Sequence, residues 1–301
     1  MTDILKAIRR EKGPLLATVI RGGQLRLVIA HKQEVLWHTV LPLNPVYLEG
    51  GMIAQPRAVA TSLRSVLDQS PFPRVTESVA ALPGYHTLSA VVDIPDSKEF
   101  RADQVLPREA RRLFSYRPDS SLLTWWPLKG ADGGTRRYVL VVTRRAAVQA
   151  LREVFTIAGL RLSAIDSGPM ATARAANAEE GIVVQAESDG GDVVVVKNGA
   201  IGLIRSAYWG GDIIDQESLL ARVTDLVERS VAAHNDANPS GPLSAQAPVL
   251  VAGAGAELLG DRVAEAMGRK PGRFQPPLVM QEGVSAAEVA ANLGMVLGSG
   301  R

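Results

Sequence analysis

Short apolar runs open the chain. Residues 15–20, 25–30 and 35–40 are each mostly apolar, and the breaks between them are Arg21-Gly-Gly-Gln24 and His31-Lys-Gln-Glu34. Runs of this length, bounded by turn residues, predict three strands in a meander. The period then changes. Val59, Leu63, Val66 and Leu67 fall at helical spacing over residues 56–67, and Pro56 suits a first helical turn. Residues 75–82 predict a strand ended by Pro83-Gly84, and 88–94 a strand that stops at Pro95-Asp96. Ser97 can cap the helical stretch that follows to about Phe114, in which Pro107 marks a break or restart. Strands at 122–128 and 137–143, joined by a turn over Asp132-Gly-Gly134, precede a helix over 146–158 with Gly159 as its C′ residue. Residues 162–165 return to a strand, and 169–176 form a short helix.

The second half repeats this plan. A strand over 182–186 leads into a β-branched run, Val193 to Val196, and Asn198-Gly199 then signals a type I′ hairpin turn. Residues 217–234 form a helix with one broad apolar face (Leu219, Leu220, Val223, Leu226, Val227, Val231), followed by a Pro-rich loop over 238–248. A buried-type strand at 249–252 runs into Gly253-Ala-Gly255, and helices over 257–267 and 285–297 close the chain. Each half is thus a strand hairpin followed by helix and strand. The order predicts an α/β protein of two lobes, 13–178 and 179–300. The first lobe carries a small α+β insert over about 86–160.

Composition agrees with a folded chain: 301 residues, 46% hydrophobic, mean hydropathy +0.07. A chain of this length buries about 75% of its unfolded surface, enough for two cores. No apolar run approaches the roughly 18–20 residues that span a bilayer. The first twelve residues lack the apolar stretch of a secretory signal and form a short basic amphipathic segment. It reads either as a frayed solvated helix or as a weak contact with an anionic membrane face. The absence of cysteine excludes disulfides, thiolate chemistry and Cys-type zinc sites. A net charge of +2 is not the footprint of a nucleic-acid binder. Its distribution is uneven: residues 98–161 hold 13 Lys/Arg against 6 Asp/Glu, so this stretch is +7 and the remainder −5. A solvated Arg-rich surface, an acidic partner and lipid headgroups all fit that stretch.

The glycines at 190–191 could bring backbone N–H groups close to a phosphate. The supporting chemistry is missing, however: no carboxylate on the preceding strand, no Thr run and no Lys-Ser/Thr pair. No His pair has metal-ligand spacing, and no Gly-x-Ser-x-Gly elbow is present. Asp93, Asp96 and Asp166 at strand ends read as turn or cap residues. Strand alternation sends one indole of Trp125-Trp126 to each face, one into a core and one outward, where it could anchor a partner.

Several motifs in order carry a resemblance. Glu49-Gly-Gly-Met-Ile-Ala-Gln-Pro56, Ala80-Ala-Leu-Pro-Gly84, Val91-Val-Asp-Ile-Pro95, Tyr138-Val-Leu-Val-Val-Thr-Arg-Arg145, Ala158-Gly-Leu160 and Lys197-Asn-Gly199 with Gly210-Gly211 are similar in sequence and spacing to segments of the actin-like ATPases that carry an FtsA-type insert, and among them to the PilM-type proteins of type IV pilus assembly. The match runs over about residues 13–298. It implies an actin-like (ribonuclease H-like) fold with a nucleotide cleft at Gly22, Gly23, Gly190, Gly191, Asp192, Gly210, Gly211, Gly253 and Gly255. The chain departs from the family pattern there. No Asp stands in the first loop, Gln185 replaces the Asp that opens the second, and Glu187 and Asp189 would face the triphosphate. One carboxylate about 4 Å from a phosphate costs about 4 kcal/mol at an effective dielectric near 20. No Lys is introduced to replace the lost magnesium chemistry. The family's extra subdomain after Gly210-Gly211 shrinks to a single helix, which implies a cleft open on that side.

The resemblance therefore implies a pseudo-ATPase needing no cofactor, with ATP and magnesium disfavoured. It implies a non-enzymatic cytoplasmic scaffold at the inner membrane that captures the N-terminal cytoplasmic tail of a PilN-like bitopic partner in a groove between the first lobe and the insert. Leu88, Val92, Ile94, Leu106, Arg111, Leu113 and Phe114 are the expected contacts. Two alternatives stay open: an active actin-like ATPase or sugar-kinase relative with divergent loops, and a type II secretion L-like cytoplasmic domain. Proteins of that last kind usually continue into a membrane span, whereas this chain stops at Arg301.

Overall fold

The computed structural model describes residues 13–97, 100–128, 134–210 and 215–299. The first lobe is built on a five-stranded sheet in the order β10-β6-β1-β2-β3. Strands β1 (Leu15–Arg21), β2 (Gln24–His31) and β3 (Glu34–Pro42) form the antiparallel meander, and β6 (Glu77–Leu82) and β10 (Arg161–Ser167) add in parallel beyond β1. A two-residue ladder of β4 (Leu48–Glu49) and β5 (Met52–Ile53) precedes α1 (Pro56–Gln69). The second lobe repeats the pattern in four strands, β13-β12-β11-β14. Here β11 (Gly181–Ala186), β12 (Gly190–Lys197) and β13 (Ala200–Tyr208) form the meander and β14 (Val249–Ala252) runs parallel to β11. The duplication expected from the sequence is present down to strand order. The β12–β13 turn has Asn198 at φ 53° and Gly199 at φ 66°, the paired positive values a type I′ turn demands.

Helices layer around the two sheets. On the outer face of the first sheet, Leu16, Leu25, Leu27 and Ile29 pack against Val59, Leu63 and Leu67 of α1 and Leu151, Val154 and Phe155 of α3 (Arg145–Ile157). Alternation along β1 and β2 turns Ala17, Val19, Val28 and Ala30 to the other face. These smaller residues receive α7 (Ala290–Ser299) through Leu293, Val296 and Ala290. Helix α4 (Gly168–Ala176) lies beside α7, and its Ala176 reaches Val183 and Val194 of the second sheet. The α4–α7 pair is thus the layer between the lobes. A Cβ on Gly294 would run into the Ala171 carbonyl, so glycine sets how closely these helices approach. Buried Asn292 donates to the Ala17 and Arg26 carbonyls at 2.9 and 3.0 Å, fixing α7 on β1 and β2. Helices α5 (Gln216–Ala237) and α6 (Ala256–Ala266) cover the far face of the second sheet through Val223, Val227, Leu259 and Val263.

The insert is a three-stranded antiparallel sheet, β7-β9-β8, of β7 (Thr87–Pro95), β8 (Ser121–Leu128) and β9 (Thr135–Arg144). Helix α2 (Ala102–Phe114) covers one face with Leu106 and Ala110 against Val92, Tyr138, Leu140 and Val142. The opposite face places Val139 and Val141 against Met170 of α4 and Ile201 and Ile204 of β13. The insert is therefore wedged onto the second lobe.

Several boundaries differ from the sequence reading. Ser97 does not cap α2: its carbonyl accepts from Phe100 N–H at 3.1 Å in a local turn, and Arg101 precedes the helix. Pro107 neither breaks nor restarts α2, because burial of Leu106 and Ala110 outweighs one lost backbone bond. Helix α3, placed in the insert by its position in the chain, packs on α1 and the first sheet. It ends as expected, with Gly159 at φ 69° and Leu160 N–H bonded to the Phe155 carbonyl at 2.9 Å. Helix α7 starts at Ala290, five residues later than the periodicity predicts from 285. The basic segment 1–12 and positions 132–133 of the predicted turn lie outside the described residues.

Candidate functional site

The two meanders meet edge-on, and the residues at that meeting are charged and buried. Arg21 ends β1 and Arg26 sits mid-strand in β2, 3% and 1% exposed. Opposite them stand Glu187 and Asp189 in the β11–β12 turn of the second lobe and Asp192 near the start of β12. Arg26 grips Glu187 with two bonds, Nη1 to Oε1 at 2.5 Å and Nη2 to Oε2 at 2.6 Å, and its Nη2 also donates to Gln24. Gln185 and the Ala254 N–H donate to the same carboxylate. Arg21 donates to Asp192 and lies 3.9 Å from Asp189. Asp189 Oδ2 accepts from the Gly22 N–H at 3.0 Å and from the Tyr85 hydroxyl at 2.8 Å.

Tyr85 fills what space remains. It follows Pro83-Gly84 at the end of β6, its ring lies 5.1 Å from the Arg21 guanidinium and it packs against Tyr208 at 5.0 Å. A Cβ on Gly51 or Gly190 would collide with that ring, and one on Gly84 would meet Asp192 and Ser206. At Gly84 and Gly190 the close approach is between lobes, whereas Gly51 makes room for Tyr85 within the first lobe.

The charges reinforce one another. Burial pushes the Glu187 carboxyl upward, but Arg26 and Arg21, with the hydrogen bonds from Arg26 and Gln185, outweigh it and hold the group below its ordinary value. Burial likewise works against the Arg21 cation, and the Asp192, Glu187 and Asp189 carboxylates more than compensate, so it stays charged. Burial, with Asp189 and Asp192, drives the Tyr85 phenol up against the pull of Arg21, so it remains a neutral donor. Charge-assisted bonds thus join the lobes, while Arg21 Nε and Nη2, Arg26 Nε, Asp189 Oδ1 and Asp192 Oδ1 are buried without a hydrogen-bond partner.

The structure brings most of the expected cleft residues together. Gly22 and Gly23 form the β1–β2 turn at φ 60° and 68°. Gly190 and Gly191 begin β12, with Gly191 against Trp209, and Gly253 lies against Ala186, Glu187 and Gln185. Gly255 precedes α6. Gly210 (φ 77°) follows Trp209, and Gly211 lies outside the described residues. Two expectations are corrected. Glu187 and Asp189 do not face an open cleft; Arg26, Arg21, Tyr85 and backbone N–H groups engage them, with Asp189 Oδ1 alone lacking a hydrogen bond. The side left by the missing subdomain is not open at this level, since Glu187 and Asp192 are each 1% exposed. Arg21, Arg26 and Tyr85 escaped the sequence reading. The available signal was Arg26 between Leu25 and Leu27, because a cation inside a buried strand requires an acid opposite it.

The expected partner contacts are split. Val92 and Leu106 belong to the insert core and offer no surface, while Phe114 and Ile94 are partly covered at its margin. Leu88, Arg111 and Leu113 are exposed. A cleft of about 1040 Å³ lies where the first lobe, the insert and the second lobe meet, and other residues line it: Trp126, Pro127 and Leu128 of β8, Ser163 to Asp166 of β10, and Val196, Ala200 and Ile201 of the second lobe. Trp125 joins the insert core and Trp126 turns outward, as alternation required. Asp93, Asp96 and Asp166 pair with Arg137, Arg136 and Arg174.

The sequence matches no protein-family model and no curated protein. Solved structures do match over nearly the whole chain. One described as a PilM-PilN type IV pilus biogenesis complex is similar with a TM-score of 0.76 at 17% identity, covering 95% of this chain and 98% of that one. The ethanolamine utilization protein EutJ of Carboxydothermus hydrogenoformans gives 0.55 at 12% identity over 95% and 90%. The cytoplasmic domain of EpsL, an inner-membrane component of the type II secretion system of Vibrio cholerae, gives 0.54 at 12% over 96% of each chain. No helix among the described residues is long and apolar enough to cross a membrane. The duplicated sheets, the shared helical layer between them and these likenesses identify the fold as that of the actin-like ATPases.

Proposed function

We propose that the chain is a non-enzymatic scaffold on the cytoplasmic side of the inner membrane, within a type IV pilus or related secretion assembly, and that it holds the cytoplasmic tail of a PilN-like bitopic partner. The observation that carries this reading is the buried set of Arg21, Arg26, Glu187, Asp189 and Asp192 between the lobes. Phosphoryl transfer from Mg-ATP needs carboxylates free to hold the metal, backbone donors free for phosphate and a positioned water. Here the carboxylates are engaged by arginines, and the Gly22 N–H is taken by Asp189. A triphosphate entering this space would have to displace both.

The cleft where first lobe, insert and second lobe meet suits an extended peptide. Strand β8 is an outer strand of the insert sheet and β10 an outer strand of the first-lobe sheet, and both line the cleft. Such edges offer backbone groups to an added strand, and Trp126, 38% exposed, offers an aromatic anchor. Likeness to a structure described as a PilM-PilN complex supports the choice of partner.

Titration calorimetry tests the reading. A peptide copying a PilN-type N-terminal tail binds without nucleotide, Mg-ATP gives no heat, and Trp126→Ala weakens the peptide at least tenfold, about 1.4 kcal/mol. Micromolar Mg-ATP binding with turnover lost in Asp192→Ala would instead establish an active ATPase.

A further inference from the structure

We propose that the outer face of α2 and the loop after it form a contact surface for an anionic lipid bilayer. The helix divides cleanly. Leu106 and Ala110 face the insert core, and Arg108, Arg111 and Arg112 stand exposed on the other side, followed by exposed Arg117. Arg112 pairs with Glu109 at 2.7 Å. Among the described residues Arg108, Arg111 and Arg117 take part in no ion pair. Arg145 donates to the Pro118 carbonyl at 2.9 Å, which lays the 117–118 loop beside exposed Arg144 and extends the basic patch. Leu113, 39% exposed, lies seven positions after Leu106 and three after Ala110, at the margin of the core-facing stripe and away from these guanidiniums.

The shape selects the partner. None of these side chains lines the cleft. A peptide needs a groove or a strand edge, whereas α2 presents a convex helical face. A convex basic face suits a planar, diffusely charged surface, where arginines meet headgroup phosphates. Helix-end electrostatics account for cations in the last turn, Arg111 and Arg112, but not for Arg108 or Arg117 outside it. The proposal goes beyond the tail-binding reading and needs no partner protein.

Vesicle flotation of the purified chain tests it. The chain should float with phosphatidylcholine vesicles containing about one-third phosphatidylglycerol, not with pure phosphatidylcholine, and high salt should release it. The triple variant Arg108→Glu/Arg111→Glu/Arg117→Glu should lose vesicle partition roughly a hundredfold, at about tenfold or less for each arginine. The control Arg57→Glu/Arg74→Glu/Arg222→Glu carries the same charge change elsewhere and should lose no more than a few-fold. Equal loss in both triples, flotation with neutral vesicles alone, or no flotation would overturn the proposal. So would capture by soluble polyglutamate without vesicle binding, which would assign the face to an acidic protein. Unchanged circular dichroism and melting of each triple establish that the variants fold. Tail-peptide calorimetry uses no lipid, so either idea can fail without the other.

Discussion

Arg26 is the residue on which closure of the two lobes turns. Arg26→Met leaves Glu187 buried with its main counter-charge gone, which costs about 3–5 kcal/mol for a broken buried pair. The double variant Arg26→Met/Glu187→Leu removes both charges and should recover most of that loss; urea unfolding of the single and double variants reads the difference. The same pair sets the acid limit. Because Glu187 titrates below its ordinary value of 4.5 in the folded chain, its stabilisation is complete above that value and is lost as pH falls through the lower folded one. Unfolding free energy should therefore drop steeply below about pH 4.5, and Glu187→Gln should flatten that part of the profile. This chemistry was half legible in the sequence. Glu187 and Asp189 stand out as acids out of place beside a glycine turn, but no spacing rule connects them to arginines more than 160 positions earlier. Only strand pairing in each lobe and the contact between lobes bring them together.

Among elements, the tightest fit is α4 against α7. Gly294→Ala should push these helices apart and cost about 1–3 kcal/mol, with a lower melting temperature as the readout. In the β12–β13 turn, Gly199→Ala should cost about 1–2 kcal/mol, the penalty of a Cβ at positive φ. Asn198→Gly should change stability by only a few tenths of a kcal/mol, since glycine tolerates that conformation equally well. Both meanders, the I′ turn and the end of α3 were readable because each is decided within a few residues. The start of α2 was not, because the helix is anchored by Leu106 and Ala110 on a sheet that pairs β7, before it, with β9, after it. Choosing Val92 and Leu106 as partner contacts has the same origin. Periodicity identifies an apolar face, but the neighbour that covers it is set by tertiary structure.

For the molecule as a whole, the insert docks on the second lobe through Ile201 and Ile204 while the charged set joins the lobes directly. The chain is thus cross-braced at two places besides the α4–α7 layer. Small-angle scattering with and without Mg-ATP should give the same radius of gyration, and Arg21→Ala/Arg26→Ala should enlarge it or unfold the chain; a nucleotide-dependent contraction of the wild type would contradict the scaffold reading. The Asp189 carboxylate on the Gly22 amide has one more consequence. The protein supplies its own anion at the spot, from the opposite lobe. Removing the Asp189 carboxylate leaves Arg21 paired with Asp192 but takes the acceptor from the Gly22 N–H and the Tyr85 hydroxyl, about 1–3 kcal/mol for each donor left unsatisfied. Any anion from solvent must therefore compete with a carboxylate tethered to the chain itself, which a free ligand matches only at high effective concentration.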